Sequence, residues 1–189
     1  TEIYTLSLHA ALPICTSQPG AEAGRADAFL DFIEGRVKPL VASRRPVDAQ
    51  RQALFGHSFG GLFVLHVLLT RPAAFSTYVA SSPSIWWAGQ RVLEGMPRLL
   101  AAEASPSPRV QISVGALEDD PPKGTLPPET RALLATRRMI PPARDLAARL
   151  RALPGWEGRV TYHELAGEDH GPVWLPAMTR GLQFFLDSP

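Results

Sequence analysis

The sequence is poor in the features that would tie it to a specialised setting. One cysteine, Cys15, stands among 189 residues, so no disulfide can form within the chain, and cysteine usage does not choose a redox compartment. Net charge is nearly absent: 19 Lys+Arg against 18 Asp+Glu leave +1. That argues against a partner held by bulk electrostatics, nucleic acid or anionic lipid alike. No apolar run approaches the ~20 residues a membrane helix needs, so no membrane insertion is expected. No basic segment leads into an apolar signal core at the start. What is present is ordinary for a globular domain, with 45 % hydrophobic and 20 % charged residues. Proline is the exception: 19 residues, roughly twice the usual ~5 %. Among clear apolar segments this means many loops, not disorder. One domain with a sizeable core is the default at this length.

The first fourteen residues read as foreign. TEIYTLSLHAALPI (Thr1 to Ile14) resembles the in-frame translation of a common sequencing-library adaptor, TEIYTLSLHDALPI. Only Ala10 differs, and a single base change accounts for it. The alternative is an edge strand, since Tyr4, Leu6 and Leu8 alternate. The adaptor reading is preferred, and such a segment is set aside in fold reasoning. A single domain over 15–189 is then expected. The natural N-terminus, with any signal peptide, would be absent. Compartment (cytoplasm or periplasm) and oligomeric state are left undecided.

Beyond that point strand and helix patterns alternate. Ala26 to Val41 has Phe29, Phe32, Ile33, Val37 and Leu40 at helical spacing, with Pro39 expected to end it. Gln52 to Phe55 is a short strand, and Gly61 to Leu69 is an apolar helix closed by Arg71-Pro72. Thr77 to Ala80 is a second strand, and Arg91 to Glu103 an amphipathic helix. In Arg109 to Gly115, Val110, Ile112 and Val114 alternate as a third strand. Pro121 to Pro128 is a loop. Ala143 to Leu153 is a helix, Arg159 to Leu165 a fourth strand, and Pro172 to Leu186 a final helix. This order predicts an α/β fold of parallel βαβ units.

Chemistry gathers at the strand ends. Gly56-His57-Ser58-Phe59-Gly60 satisfies G-x-S-x-G, and it lies between a strand and an apolar helix. That is the setting of a nucleophile elbow. Gly56 and Gly60 would leave room for strand and helix to approach. Ser58 would project above the sheet, and the Phe59 N–H, at the helix N-terminus, would face an oxyanion. A serine nucleophile needs a base. Of the five histidines, His9 lies in the adaptor-like segment and His57 inside the elbow. His66 is expected to be a packed helix residue and His163 a mid-strand one. His170, in the loop after the last strand, is in the right place. The third member should follow an intermediate strand. Glu118 is preferred, with Asp119 next and Asp120 a further competitor. Ser81-Ser82-Pro83-Ser84-Ile85-Trp86-Trp87 follows the second strand. Its tryptophans either wall an acyl or aromatic pocket or pack one ring beneath the loop.

These segments carry a family resemblance. GHSFGGLFVLHVLLTRP (Gly56 to Pro72), F-x-x-Y-V-A-S-S-P-S-I-W-W (Phe75 to Trp87), S-V-G-A-L-E (Ser113 to Glu118) and G-E-D-H-G-P-V (Gly167 to Val173) resemble the α/β-hydrolase esterases that include the siderophore esterases for ferric enterobactin and salmochelin. The Ser-Pro-Ser-x-Trp-Trp segment discriminates best within that fold. The resemblance implies a serine ester hydrolase acting on a small-molecule ester, with no metal and no organic cofactor; an acyltransferase of the same fold, or a non-catalytic fragment, is the alternative. It implies Ser58 as nucleophile, His170 as base and Glu118 as acid. His57, Ser82, Trp86 and Trp87 are expected to line the substrate. Family members carry further residues upstream, which supply the first strands and a second oxyanion N–H. The chain therefore reads as the C-terminal part of an α/β-hydrolase, its N-terminal strands missing, with an open sheet edge and impaired activity expected.

Overall fold

A computed structural model describes residues 25–101, 108–120 and 127–187. The adaptor-like segment, Cys15 and most of the expected Pro121 to Pro128 loop lie outside them. The chain divides into two compact units, Thr1–Asp48 and Ala49–Pro189.

In the first unit, α1 (Ala26–Phe32) runs through a π-helical turn (Ile33–Val37) into α2 (Lys38–Arg44). Pro39 does not end the helix, contrary to the sequence expectation; it is in the first turn of α2. A proline ring cannot donate to the carbonyl four residues back and clashes with it. The wider turn ahead of Pro39 absorbs this, and the Lys38 N–H reaches Ile33 O, five residues back.

The second unit is built on four parallel strands, β1 (Ala53–His57), β2 (Thr77–Ser81), β3 (Arg109–Gly115) and β4 (Val160–Leu165), in the order β1-β2-β3-β4. β2 and β3 are almost wholly buried, whereas β1 and β4 are half-exposed edge strands. Burial of every residue of β2 is what a central parallel strand covered on both faces requires.

Each strand is followed by helix. α3 (Phe59–Thr70) joins β1 to β2; α4 (Met96–Ala101), after a 3-10 stretch at Trp87–Gly95, precedes β3; α5 (Pro128–Thr136) and α6 (Ile140–Arg151) precede β4; α7 (Trp174–Leu186) closes the chain. The sequence pattern did not single out α5, and the amphipathic helix expected from Arg91 is replaced by the 3-10 stretch and the short α4. There the backbone turns left-handed at Ala88, Gly89 and Gln90.

Two neighbouring residues of β2 show which helix covers which face. The Tyr78 hydroxyl donates to the carbonyls of Arg71 and Pro72, just past α3, at 3.1 Å each. On the opposite face, Val79 lies against Gly181 of α7, where a Cβ would come within 2.5 Å of Val79 Cγ1. Beside it, Gln111 Nε2 donates to Ala177 O at 3.3 Å. The small residues Ala177 and Gly181 let α7 lie close on the sheet. Its large apolar residues Trp174, Leu175, Met178 and Leu182 stay exposed. Arg109 ties the start of β3 to the same helix, its guanidinium 3.9 Å over the Phe184 ring.

Candidate active site

All four strands end on one side of the sheet, with His57 in register with Ser81, Ser81 with Ser113, and Ser113 with His163. Loops at the carboxyl ends of parallel strands are where α/β proteins place their chemistry.

The turn from β1 to α3 is strained at one residue. Ser58 has φ 58° and ψ −118°, a region that costs a non-glycine residue about 1–3 kcal/mol. Surrounding bonds hold it there. Its N–H donates to Ser81 O at 2.9 Å, and its carbonyl accepts from Leu62 at 3.0 Å and from Ser84 at 3.2 Å. Gly56 leaves the space this turn needs, since a Cβ there would collide with the Gly60 carbonyl. The second close approach belongs to Gly61, not to Gly60 as the motif suggested. A Cβ on Gly61 would lie 2.9 Å from Ser81 O and 3.0 Å from Pro83 Cα, whereas one on Gly60 would meet nothing within 4 Å. Phe59 is the first residue of α3, so its N–H has no acceptor within the helix.

The loop after β4 brings His170 above Ser58. His170 Nε2 lies 2.9 Å from Ser58 Oγ, and His170 Nδ1 lies 2.8 Å from Glu118 Oε2. A carboxylate only accepts, so Nδ1 carries the proton and Nε2 presents its lone pair to the serine hydroxyl. The loops after β3 and β4 meet closely. Leu117 N–H donates to Glu168 O at 3.0 Å, and a Cβ on Gly115 would come within 2.5 Å of that oxygen. The Glu118 side chain is fully buried and the His170 side chain is 46 % exposed. The pair is thus anchored from within and open to solvent on the base side.

Asp119, the alternative acid, points elsewhere. Its Oδ1 accepts the Met139 N–H at 2.7 Å, and its Oδ2 accepts the Ile140 N–H at 3.3 Å and Arg138 Nε at 3.2 Å. It serves the start of α6, where Pro141 and Pro142 have no N–H and the free donors sit at residues 139 and 140.

The serines after β2 take up positions around Ser58, His170 and Glu118. Ser81 Oγ lies 3.1 Å from His57 Nδ1, Ser82 Oγ donates to Glu118 Oε1 at 2.5 Å, and Ser84 Oγ lies 3.4 Å from Ser58 Oγ. All three serines are buried. Ser82, expected to line the substrate, is fully buried with its hydroxyl on Glu118. His57 was expected among the substrate-lining residues too. It is half-buried, spends Nδ1 on Ser81, and keeps its ring 4.9 Å from that of His170. Burial, and next the neighbouring His170, lower the His57 pKa. Ser81 and Ser84 lie in the segment the sequence singled out, but no signal gave their contacts, which join residues far apart in the chain.

Trp86 and Trp87 are half-buried, while Ile85 packs fully beneath the loop. Phe59 sits edge-on to Trp87 at 5.1 Å, and Trp86 meets Trp87 at 5.6 Å. The Arg137 guanidinium lies 5.0 Å over Trp86. An aromatic wall thus borders the elbow. His66 lies within α3 and His163 on the edge strand β4, apart from Ser58, His170 and Glu118. Among the described residues no cluster of three or more His, Cys, Asp or Glu could hold a metal ion.

Residues 12–185 match the model of the family described as "Putative esterase". The chain is 38 % identical over 173 residues to the siderophore triacetylfusarinine C esterase of Aspergillus fumigatus, covering 87 % of this chain and 59 % of that protein. It is 36 % identical over 165 residues to the ferri-bacillibactin esterase BesA of Bacillus subtilis, covering 87 % and 53 %. Among solved structures it is similar to the siderophore hydrolase EstB from Aspergillus nidulans, with 37 % identity, a TM-score of 0.78, and coverage of 93 % of this chain and 62 % of that one. The chain thus spans less than two thirds of these relatives' own length.

Proposed function

The chain belongs to the esterase family, and from that premise we propose that it is a serine hydrolase cleaving carboxylic esters through an acyl-enzyme. One observation carries the reading: Ser58 Oγ, His170 and Glu118 form a continuous hydrogen-bonded relay, at 2.9 and 2.8 Å, on a strained strand-to-helix turn.

In this reading His170 Nε2 takes the Ser58 proton as Oγ attacks the ester carbonyl. The carbonyl oxygen becomes an oxyanion, and the Phe59 N–H, with the N-terminal dipole of α3, stabilises it. Glu118 stabilises the imidazolium and holds its tautomer. The imidazolium then gives its proton to the departing alcohol oxygen, leaving the acyl group on Ser58. Water enters, His170 removes its proton, and a second tetrahedral intermediate collapses to release the acid and restore Ser58. Phe59, Trp86 and Trp87 would border the acyl or alcohol group.

The relatives named above are esterases or hydrolases of siderophores. The substrate class proposed for this chain is accordingly a small-molecule siderophore-type ester. The test is a panel of such esters, including triacetylfusarinine C and bacillibactin, with products followed by mass spectrometry. The reading expects slow hydrolysis by the chain and none by Ser58→Ala. Equal hydrolysis by Ser58→Ala, or no hydrolysis of any ester, would overturn it.

A further inference from the structure

Glu118 is the least self-evident member of the relay. A glutamate has one more rotatable bond than an aspartate, so its carboxylate must be fixed from outside to aim one oxygen at the imidazole. Oε2 meets His170 Nδ1. Oε1 is held by two donors, the Gly115 N–H at 2.5 Å and the Ser82 hydroxyl at 2.5 Å. The carboxylate is fully buried, where an anion depends on such donors.

Ser82 is itself held in an unusual state. Its backbone has φ 42°, in the left-handed region that serine seldom adopts. Its N–H donates to Ser113 O at 2.7 Å. The strained backbone at the end of β2 turns a buried hydroxyl toward β3's loop, and that hydroxyl reaches the acid of the triad.

We propose that Ser82 is a positioning residue for ester cleavage, acting through Glu118: its hydroxyl locks the carboxylate so that Oε2 stays on His170 Nδ1. This rests on the esterase reading above.

Ser82→Gly separates the hydroxyl from the backbone, because glycine takes φ 42° without strain. Four quantities are read on the 189-residue chain and its variants: unfolding midpoint, kcat and KM on a cleaved ester, and the rate at which a fluorophosphonate labels Ser58. Loss of a hydrogen bond to a buried charge is expected to lower kcat and labelling about 10–100-fold. KM should stay close to wild type, and the unfolding midpoint should fall, because a buried carboxylate loses one of its donors. In a Glu118→Gln background Ser82→Gly should cost less than about twofold more, because the two act as one unit.

Wild-type kcat and labelling in Ser82→Gly would overturn the proposal. So would a raised KM at unchanged kcat, which would make Ser82 a substrate contact, or a full additive loss in the Glu118→Gln background. Ser82→Ala takes the place of the glycine variant if that one does not fold. A wild-type chain that neither labels nor cleaves ester would overturn the esterase reading and this proposal together. An active wild type with an unaffected Ser82→Gly would overturn this proposal alone.

Discussion

The same added methyl should act with opposite sign at two adjacent glycines of the elbow. At Gly60 an added Cβ meets nothing within 4 Å, and the residue lies in the first turn of α3. Alanine there restricts the unfolded chain and favours helix, worth up to about 0.5–1 kcal/mol. At Gly61 the Cβ would sit 2.9 Å from Ser81 O and 3.0 Å from Pro83 Cα. Both are backbone atoms, so α3 or the loop after β2 must move, at about 1–3 kcal/mol. Set against the helix gain, Gly61→Ala should lose about 1–2 kcal/mol. For a chain of this size each kcal/mol shifts Tm by about 2–4 °C. Gly60→Ala should therefore raise Tm slightly, and Gly61→Ala should lower it by about 2–8 °C. The displaced loop carries Ser82 and Ser84, so Gly61→Ala should also slow fluorophosphonate labelling of Ser58. Thermal and urea unfolding followed by tryptophan fluorescence measures the first effect. A neutral or stabilising Gly61→Ala, or a Gly60→Ala loss above about 1 kcal/mol, would refute the packing argument.

Glu118→Gln should lower kcat about 10³–10⁴-fold, since a neutral amide cannot stabilise the imidazolium; steady-state kinetics on a cleaved ester reads this. Asp119→Ala should leave kcat within about threefold but cost about 1 kcal/mol in urea unfolding, because the Met139 and Ile140 N–H groups lose their acceptor. Hydrogen bonds from Arg144 and Tyr162 hold the Glu164 carboxyl below its ordinary pKa. The stability this contributes is complete above the ordinary carboxylate value and is lost as pH falls through the lowered folded value. Glu164→Gln should thus lower the urea midpoint at neutral pH and converge on wild type in strong acid. Buried beside His170, His57 has a pKa below the ordinary histidine value of 6.5. The folded chain then binds fewer protons at that ring than the unfolded one, so stability holds above about 6.5 and declines as pH drops toward the folded value. Replacing it with His57→Gln should flatten that decline in a series of urea midpoints.

Much of this architecture was legible because its signals are local. Alternation marks Val110, Ile112 and Val114, and a glycine-flanked serine between a strand and an apolar helix marks the elbow. The chain order of Ser58, Glu118 and His170 follows from successive strand ends, and the structure brings His170 within 3 Å of both Ser58 and Glu118. What could not be read depends on contacts between distant segments. Glu118 and Asp119 are neighbours in one acidic loop. Which of them turns to His170 depends on α6, whose proline-rich start needs an acceptor 20 residues away. The role of Ser82 depends on a glutamate 36 residues ahead. Gly61 rather than Gly60 is the tight position because the loop after β2 folds over it. Pro39 was expected to end its helix, but a π-helical turn accommodates it.

The relay makes one claim that can be met directly, that Ser58 is an activated nucleophile. Treating the 189-residue chain with a fluorophosphonate, then mapping the adduct by peptide mass spectrometry, tests it. The account predicts a single adduct on Ser58, absent in Ser58→Ala and strongly slowed in His170→Ala. An adduct elsewhere, none at all, or labelling of Ser58 that is indifferent to loss of His170 would contradict it.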